Sequence, residues 1–240
     1  MTNVSIIIPI HNPDNNVLKQ IDDAIEDQFE FNGEIEVIKV DKGFGLAKSM
    51  NYGIKKAKHD IVVTLHQDCV PISNSWLTTL IYPLEVSDSG VIACTSDVLD
   101  AESGSCYTPL LDEKGCAYKK KVLEKVGYFD ENTFENSGED MDLYLKLVKM
   151  GKIAYPHCVV EHYHAGYLNP KGEKSIQNAN TLGCLFRVHG FALPGWWKGL
   201  IKANPFNIEY CYWFYRGFFK KKQDWRKGQT LRLLIQNYFT

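Results

Sequence analysis

DIVVTLHQDCVP, residues 60–71, runs from a β-branched apolar segment (Ile61, Val62, Val63, then Leu65) into His66-Gln67-Asp68 and ends at Pro71. An apolar run without polar alternation predicts a strand covered on both faces, the pattern of central strands in parallel sheets. Open α/β sheets bind ligands just beyond the carboxyl ends of such strands. Asp68 stands at that end. Its carboxylate either caps the helix expected from about Ser75 or reaches into the crevice to hold a divalent cation through its oxygens.

The flanking segments repeat the pattern. VSIIIPI (4–10) reads as a second doubly buried strand, ended by His11-Asn12-Pro13. Residues 15–29 place Leu18, Ile21, Ile25 and Gln28-Phe29 at helical spacing, with Asp22, Asp23 and Glu26 outward. EIEVIKVD (34–41) reads as a strand. Gly43-Phe44-Gly45 opens a helix through about Lys58 with Leu46, Ala47, Met50, Ile54 and Ala57 on one face. Strand and helix alternating over short links predict a parallel α/β half-domain.

Beyond Pro71 the spacing predicts a helix over 75–85, a strand over GVIACTS (90–96), and a short helix within 119–131 stopped by Gly127. The Ser-, Gly- and Asp-rich stretch 97–116 reads as an irregular, mobile loop. Ser137 is the expected N-cap of an acid-led helix in which Leu143, Leu147 and Val148 pack before Gly151. KIAYPHCVVEHYH (152–164) reads as strand. Composition shifts after Pro194, so a boundary is expected near 190, giving a domain over 1–190 and an aromatic-basic extension over 191–240.

Composition excludes several classes. The 240 residues are 45% hydrophobic and 23% charged, ordinary for a globular protein. No apolar run is long enough to span a bilayer, and the amino terminus lacks a basic start and small-residue cleavage site, so a cytoplasmic chain is expected. Seven cysteines without a C-x-x-C pair suggest neither a zinc knuckle nor a disulfide framework, and Cys94 and Cys158 read as buried thiols. The net charge of −2 conceals an asymmetry: residues 196–240 carry +7 and the remainder −9. Gly43-x-Gly45 imitates a dinucleotide fingerprint, but Lys48 stands where its third glycine belongs. P-loop and nucleophile-elbow motifs are absent.

Three ordered motifs carry a resemblance: VSIIIPIHN, GFGLAKSMNYGIKKAKHDIVVTLHQDCVP and GYFDENTFENSGEDMDLYLKLVKMGKIAYP. Over residues 4–164 the chain resembles the family 2 glycosyltransferases, nucleotide-sugar enzymes of the GT-A fold. The resemblance implies a Rossmann-like, mostly parallel central sheet flanked by helices, here with a helical aromatic-basic extension. It implies that Asp68, the last aspartate of the family's D-x-D motif, binds Mn²⁺ or Mg²⁺, with His66 replacing the first aspartate. One of His162 and His164, which share a strand face, would be a further metal ligand.

Glu139-Asp140 matches the family's acidic pair, with Asp140 as general base and Glu139 orienting the acceptor; the alternative is that both only offset the helix dipole. The implied donor-binding set is Pro9, His11, Asn12, Asp41, Lys48 and Asn51, with His66 and Gln67. Asp41 could equally be a solvated turn residue and Lys48 plain surface. Asn51, a half-buried amide in need of partners, is expected to pin the donor loops. The implied activity is transfer of a sugar from a UDP-, GDP- or dTDP-linked donor to a hydroxyl of a glycan, lipid-linked or protein acceptor, with inversion. A non-catalytic sugar- or nucleotide-binding protein on the same scaffold is the alternative, supported by His66 and opposed by the intact acidic pair. A sugar-nucleotidyltransferase would want a glycine-rich basic loop after the first strand, where His11-Asn12-Pro13 stands.

The tail combines Trp196, Trp197, Trp213, Phe214, Phe218, Phe219 and Trp225 with Lys220-Lys221-Lys222. It reads either as a peripheral surface (196–232) for anionic lipid or as helices packing their aromatics inward. No signature of nucleic-acid binding accompanies it, and none is expected.

Overall fold

The computed structural model describes residues 2–134, 137–163, 173–190, 208–220 and 223. By contacts the chain divides into two units, Met1–Asp130 with Asp140–Tyr167 and Glu131–Glu139 with Leu168–Thr240.

The first unit is built on a six-stranded sheet. Its strands are β1 (Val4–Pro9), β2 (Ile35–Val40), β3 (Ile61–Thr64), β5 (Val91–Thr95), β8 (Cys116–Lys119) and β9 (Lys152–Ala154), in the order β2-β1-β3-β8-β5-β9. β1 pairs in parallel with β2 and β3, β5 with β9, and β8 runs antiparallel between β3 and β5. The doubly buried reading of β1 and β3 holds. Ile6, Ile8 and Val63 pack on one face with the helices α1 (Asn15–Glu26) and α3 (Trp76–Glu85). Ile7 and Val62 pack on the other with α2 (Leu46–Lys56), α4 (Lys120–Val126) and α5 (Glu139–Leu147). Each of these fully buried aliphatic side chains contributes about 1.5–3 kcal/mol. Gly127 stops α4 in a left-handed conformation at φ 83°, as expected.

A second sheet, in the order β4-β10-β6-β7, joins Cys69–Pro71 (β4), Val159–His162 (β10), Asp97–Asp100 (β6) and Cys106–Tyr107 (β7). The opening stretch therefore divides: β3 ends at Thr64 and β4 crosses into this sheet. The stretch 97–116 correspondingly opens with the β6–β7 hairpin and is irregular over 108–115. Asp100 Oδ1 accepts from the Glu102 and Ser103 amides at 3.1 and 2.7 Å, nucleating the β6–β7 hairpin.

Three packing expectations change. Phe29 is 70% exposed, while Gln28 turns inward, donating to Ala24 O and Ser73 O and accepting from the Leu77 amide in the first turn of α3. Val148 is exposed, because α5 ends at Leu147. Ser137 precedes α5 by two residues, and its hydroxyl accepts from Thr181 at 3.3 Å. Cys94 and Cys158 are buried thiols, and burial pushes them up to about 12 and about 11 respectively.

The second unit pairs α6 (Glu173–His189) with α7 (Ile208–Phe219). A compositional boundary near 190 falls between these helices, whereas contacts keep them together. Among the described residues no helix is long and apolar enough to cross a membrane.

Asn51 is 3% exposed; its Nδ2 donates to Phe129 O at 2.9 Å and its Oδ1 accepts from the Phe129 amide at 3.0 Å. Asn51 therefore clamps the chain after α4. Asn51→Ala leaves two buried backbone groups without this partner, each worth about 1–3 kcal/mol. Urea unfolding should show a loss of at least about 2 kcal/mol, and a midpoint unchanged from wild type would remove the clamp.

Candidate active site

The carboxyl ends of β1, β2 and β3 lie at one edge of the sheet, since the three run parallel and in register. The turn after β1 is tied to both neighbours. The Ile10 amide donates to Val40 O at 2.9 Å. The His11 amide donates to Gln67 Oε1 at 2.6 Å, and Gln67 Nε2 returns a bond to His11 O at 2.7 Å. Asn12 takes a positive φ of 46°, which an asparagine tolerates. Pro9, His11, Asn12, His66, Gln67 and Asp68 are thus brought to one edge. Asp41 follows β2 at that edge, exposed. Lys48 is exposed on α2 with its ammonium 4.5 Å from the Phe44 ring centroid.

Asp68 is held between two elements far apart in sequence. β10 pairs antiparallel with β4, setting His162 opposite Cys69, and the Tyr163 amide donates to Asp68 O at 2.8 Å. His162 Nε2 then lies 3.5 Å from Asp68 Oδ2, and Cys69 Sγ lies 3.6 Å from Asp68 Oδ1. Asp68, Cys69 and His162 each present one ligand atom within 4.8 Å of the others. Burial works to raise the Asp68 carboxyl, but the His162 hydrogen bond, the neighbouring imidazoles and the Cys69 thiol together outweigh it and hold the group below its ordinary value. The Cys69 thiol is pushed well up, by burial first and then by the Asp68 charge. An ionised carboxylate beside a single imidazole is a donor set that suits Mn²⁺, and its oxygens suit Mg²⁺. His164 lies outside the described residues.

His66 stands between two acids, with Nδ1 4.0 Å from Asp68 Oδ1 and Nε2 4.0 Å from Glu113 Oε2. Burial, assisted by the Lys114 charge, lowers it to about 4, so it is neutral at physiological pH. It therefore adds a nitrogen to the crevice without the charge of the aspartate it replaces.

The segment Asp112-Glu113-Lys114, which leads into β8, was not anticipated. Lys114 Nζ contacts Asp112 Oδ2 at 2.6 Å. Burial works against that ammonium, but the Asp112 charge and hydrogen bond raise it above its ordinary value. Glu113 is 2% exposed at φ 60°, a conformation costing a non-glycine residue roughly 1–3 kcal/mol. Three adjacent charges before an apolar strand are the available sequence signal, obscured by the turn-rich residues preceding them.

Asp140 is the second residue of α5, after Glu139, which is 3% exposed. Its Oδ1 accepts from the Met141 amide at 2.7 Å. The group is raised above its ordinary value by burial and by the Asp112 charge, while the first-turn amides and Lys114 oppose the shift. Asp142, two residues on, is fully buried against Lys146 Nζ at 2.6 Å.

A crevice of this kind, edged by an acid–imidazole pair and a raised carboxyl on a mostly parallel sheet, can be set against known proteins. A profile of glycosyl transferase family 2 matches residues 14–138, just over half of the chain. The chain belongs to glycosyl transferase family 2. Solved structures agree on a GT-A fold. Glucosyl-3-phosphoglycerate synthase from Mycobacterium tuberculosis, in complex with phosphoglyceric acid, superposes with a TM-score of 0.55 at 14% identity, covering 77% of this chain and 79% of that one. The mannosyltransferase PcManGT from Pyrobaculum calidifontis, in complex with GDP-Man and Mn²⁺, gives 0.53 at 16% identity, covering 75% and 61%. GalNAc-T7, with UDP, GalNAc and Mn²⁺, gives 0.52 at 15%, covering 81% and 52%. The chain thus spans about half to three fifths of the last two. A comparison with curated protein sequences finds no match.

Within this family 2 domain the charges around Asp140 make a testable set. Asp112→Asn removes a negative neighbour and should lower the Asp140 titration, whereas Lys114→Met removes a positive one and should raise it further. Carboxyl-carbon NMR reads both shifts; an Asp140 that titrates identically in all three proteins would abolish the coupling.

Proposed function

We propose that this protein transfers a glycosyl group from a nucleotide-activated sugar to an acceptor hydroxyl by single displacement, with inversion. The observation that carries the reading is the Asp68–His162 pair, 3.5 Å apart at the crevice edge where β1, β2 and β3 end. When bound there, a divalent ion supplies Lewis-acid charge that offsets the negative charge gathered by a departing nucleoside diphosphate. Asp68 and His162 would hold that ion, His66 lining the site as an uncharged nitrogen. Two fold neighbours, one in complex with GDP-Man and Mn²⁺ and one with UDP, GalNAc and Mn²⁺, support this chemistry.

The turn Pro9–Asn12, fixed by Gln67, would receive the nucleoside, with Asp41 at the same edge. As the acceptor oxygen attacks the anomeric carbon, its proton passes to an Asp140 oxygen while the bond from that carbon to the diphosphate oxygen breaks. Burial gives Asp140 the raised basicity that the transfer requires, and the first-turn amides and Lys114 keep it ionisable. Glu139, its neighbour on α5, is assigned to orienting the acceptor. The donor class is a UDP-, GDP- or dTDP-sugar, and the acceptor a glycan, lipid-linked or protein hydroxyl.

Thermal denaturation with each donor class, with and without Mn²⁺, tests the reading. A donor at a hundredfold excess over its dissociation constant adds about 2.7 kcal/mol, roughly 5–10 °C for a domain of this size. That shift should require Mn²⁺ and disappear in Asp68→Asn. Asp140→Asn should retain it while losing about 10²–10⁴-fold in turnover. Full turnover in Asp140→Asn would overturn the base; a protein that ignores both Mn²⁺ and every donor would overturn the function.

A further inference from the structure

We propose that the outward face of α7 is a docking surface for an anionic lipid bilayer. The rotation of α7 is set by its partner helix. A Cβ on Gly183 of α6 would collide with Phe214 O, and one on Gly217 of α7 would collide with Asn180 O, so the two backbones touch there. Cys184 Sγ donates to Gly217 O at 3.3 Å and Asn180 Nδ2 to Trp213 O at 3.2 Å. Arg187 closes the end of α7, its Nη1 donating to Phe218 O and Phe219 O at 3.0 Å each. Trp213, 7% exposed against Ala179, fills the seam.

With that seam fixed, Tyr212, Tyr215 and Phe219 fall at spacings of three and four on one outward stripe, 53%, 58% and 72% exposed. Tyr215 and Phe219 stack with centroids 6.3 Å apart. Arg216 lies within the stripe, donating from Nη1 to Tyr212 Oη at 2.9 Å, and the exposed Lys220 follows one turn later.

The chemistry of the stripe matches a headgroup layer. Two tyrosines carry an apolar ring with a polar tip, a phenylalanine goes deeper, and two cations stand at the level of lipid phosphates. Charge decides between occupants. A second copy docked through the same stripe would set Arg216 and Lys220 against their own copies, whereas an anionic bilayer attracts both. The inference does not depend on the glycosyl-transfer reading.

Full-length protein is sedimented with vesicles of phosphatidylcholine alone or mixed with phosphatidylserine. It should sediment with the anionic vesicles at low salt and be released as salt rises. Tyr212→Ser/Tyr215→Ser/Phe219→Ser should weaken that partitioning about tenfold or more, and Arg216→Gln/Lys220→Gln should remove most of its salt sensitivity. Phe219→Ser alone, at the most exposed position, gives a smaller loss without touching the seam, with circular dichroism reporting retained helix. No sedimentation with either vesicle, or partitioning unchanged in these folded variants, would overturn the proposal. A concentration-dependent dimer abolished by the stripe substitutions would overturn it as well, by assigning the face to a second copy.

Discussion

The antiparallel pairing of Cys69–Pro71 with Val159–His162 is the constraint on which the crevice depends. A strand-end aspartate alone is a solvated acid. The β4–β10 ladder adds an imidazole fixed across from Cys69, a backbone amide on Asp68 O and a floor of buried side chains such as Val160. Because both partners ride on ladder strands, the distance between carboxylate and imidazole is set by backbone pairing rather than by flexible side chains. That kind of preorganisation is what a cation site needs. β6 pairs in parallel along the other edge of β10, so the hairpin that follows is part of the same support.

The charge pattern follows from that frame. Asp68, Asp112, Glu113 and Asp140 supply carboxyl groups around a crevice in which Lys114 is a cation and His66 is held neutral. The two ring nitrogens of His66 each lie 4.0 Å from a carboxylate oxygen, one of Asp68 and one of Glu113, so an acid at this position would be a third carboxyl group beside two. A neutral imidazole fills the space and offers a lone pair or a proton without that repulsion.

What the sequence made legible was what periodicity encodes. The isoleucines of β1, the valines of β3, the apolar stripe of α2 and the stop at Gly127 all follow from spacing and turn chemistry. Asp68 could be placed because it follows a doubly buried strand, whereas alternation put both His162 and His164 on one face without choosing between them, and His164 lies outside the described residues. The segment 97–116 was not legible, since its two strands are four and two residues long and its Ser, Gly and Asp residues spell turns. With it went Asp112-Glu113-Lys114. Polar residues misled for a related reason. Gln28, read only as part of a helical stripe, and Asn51, read as a pin for the donor loops, each satisfy backbone groups far along the chain, which no local pattern announces.

The second unit shows the same limit from the other side. Composition changes near 190 because aromatic and basic residues begin there, but packing answers to what two helices bury. α6 is ordinary in composition and still belongs with α7, since Gly183 and Gly217 let the backbones meet and Trp213 closes the seam. Aromatic richness in α7 then serves two directions at once. Trp213 and Phe214 turn toward α6, where Phe214 meets Phe186 edge-on at 5.7 Å, while Tyr212, Tyr215 and Phe219 turn away. A helix needs only one apolar face to pack, so the aromatic second face beside cations exceeds what the pairing of α7 with α6 uses.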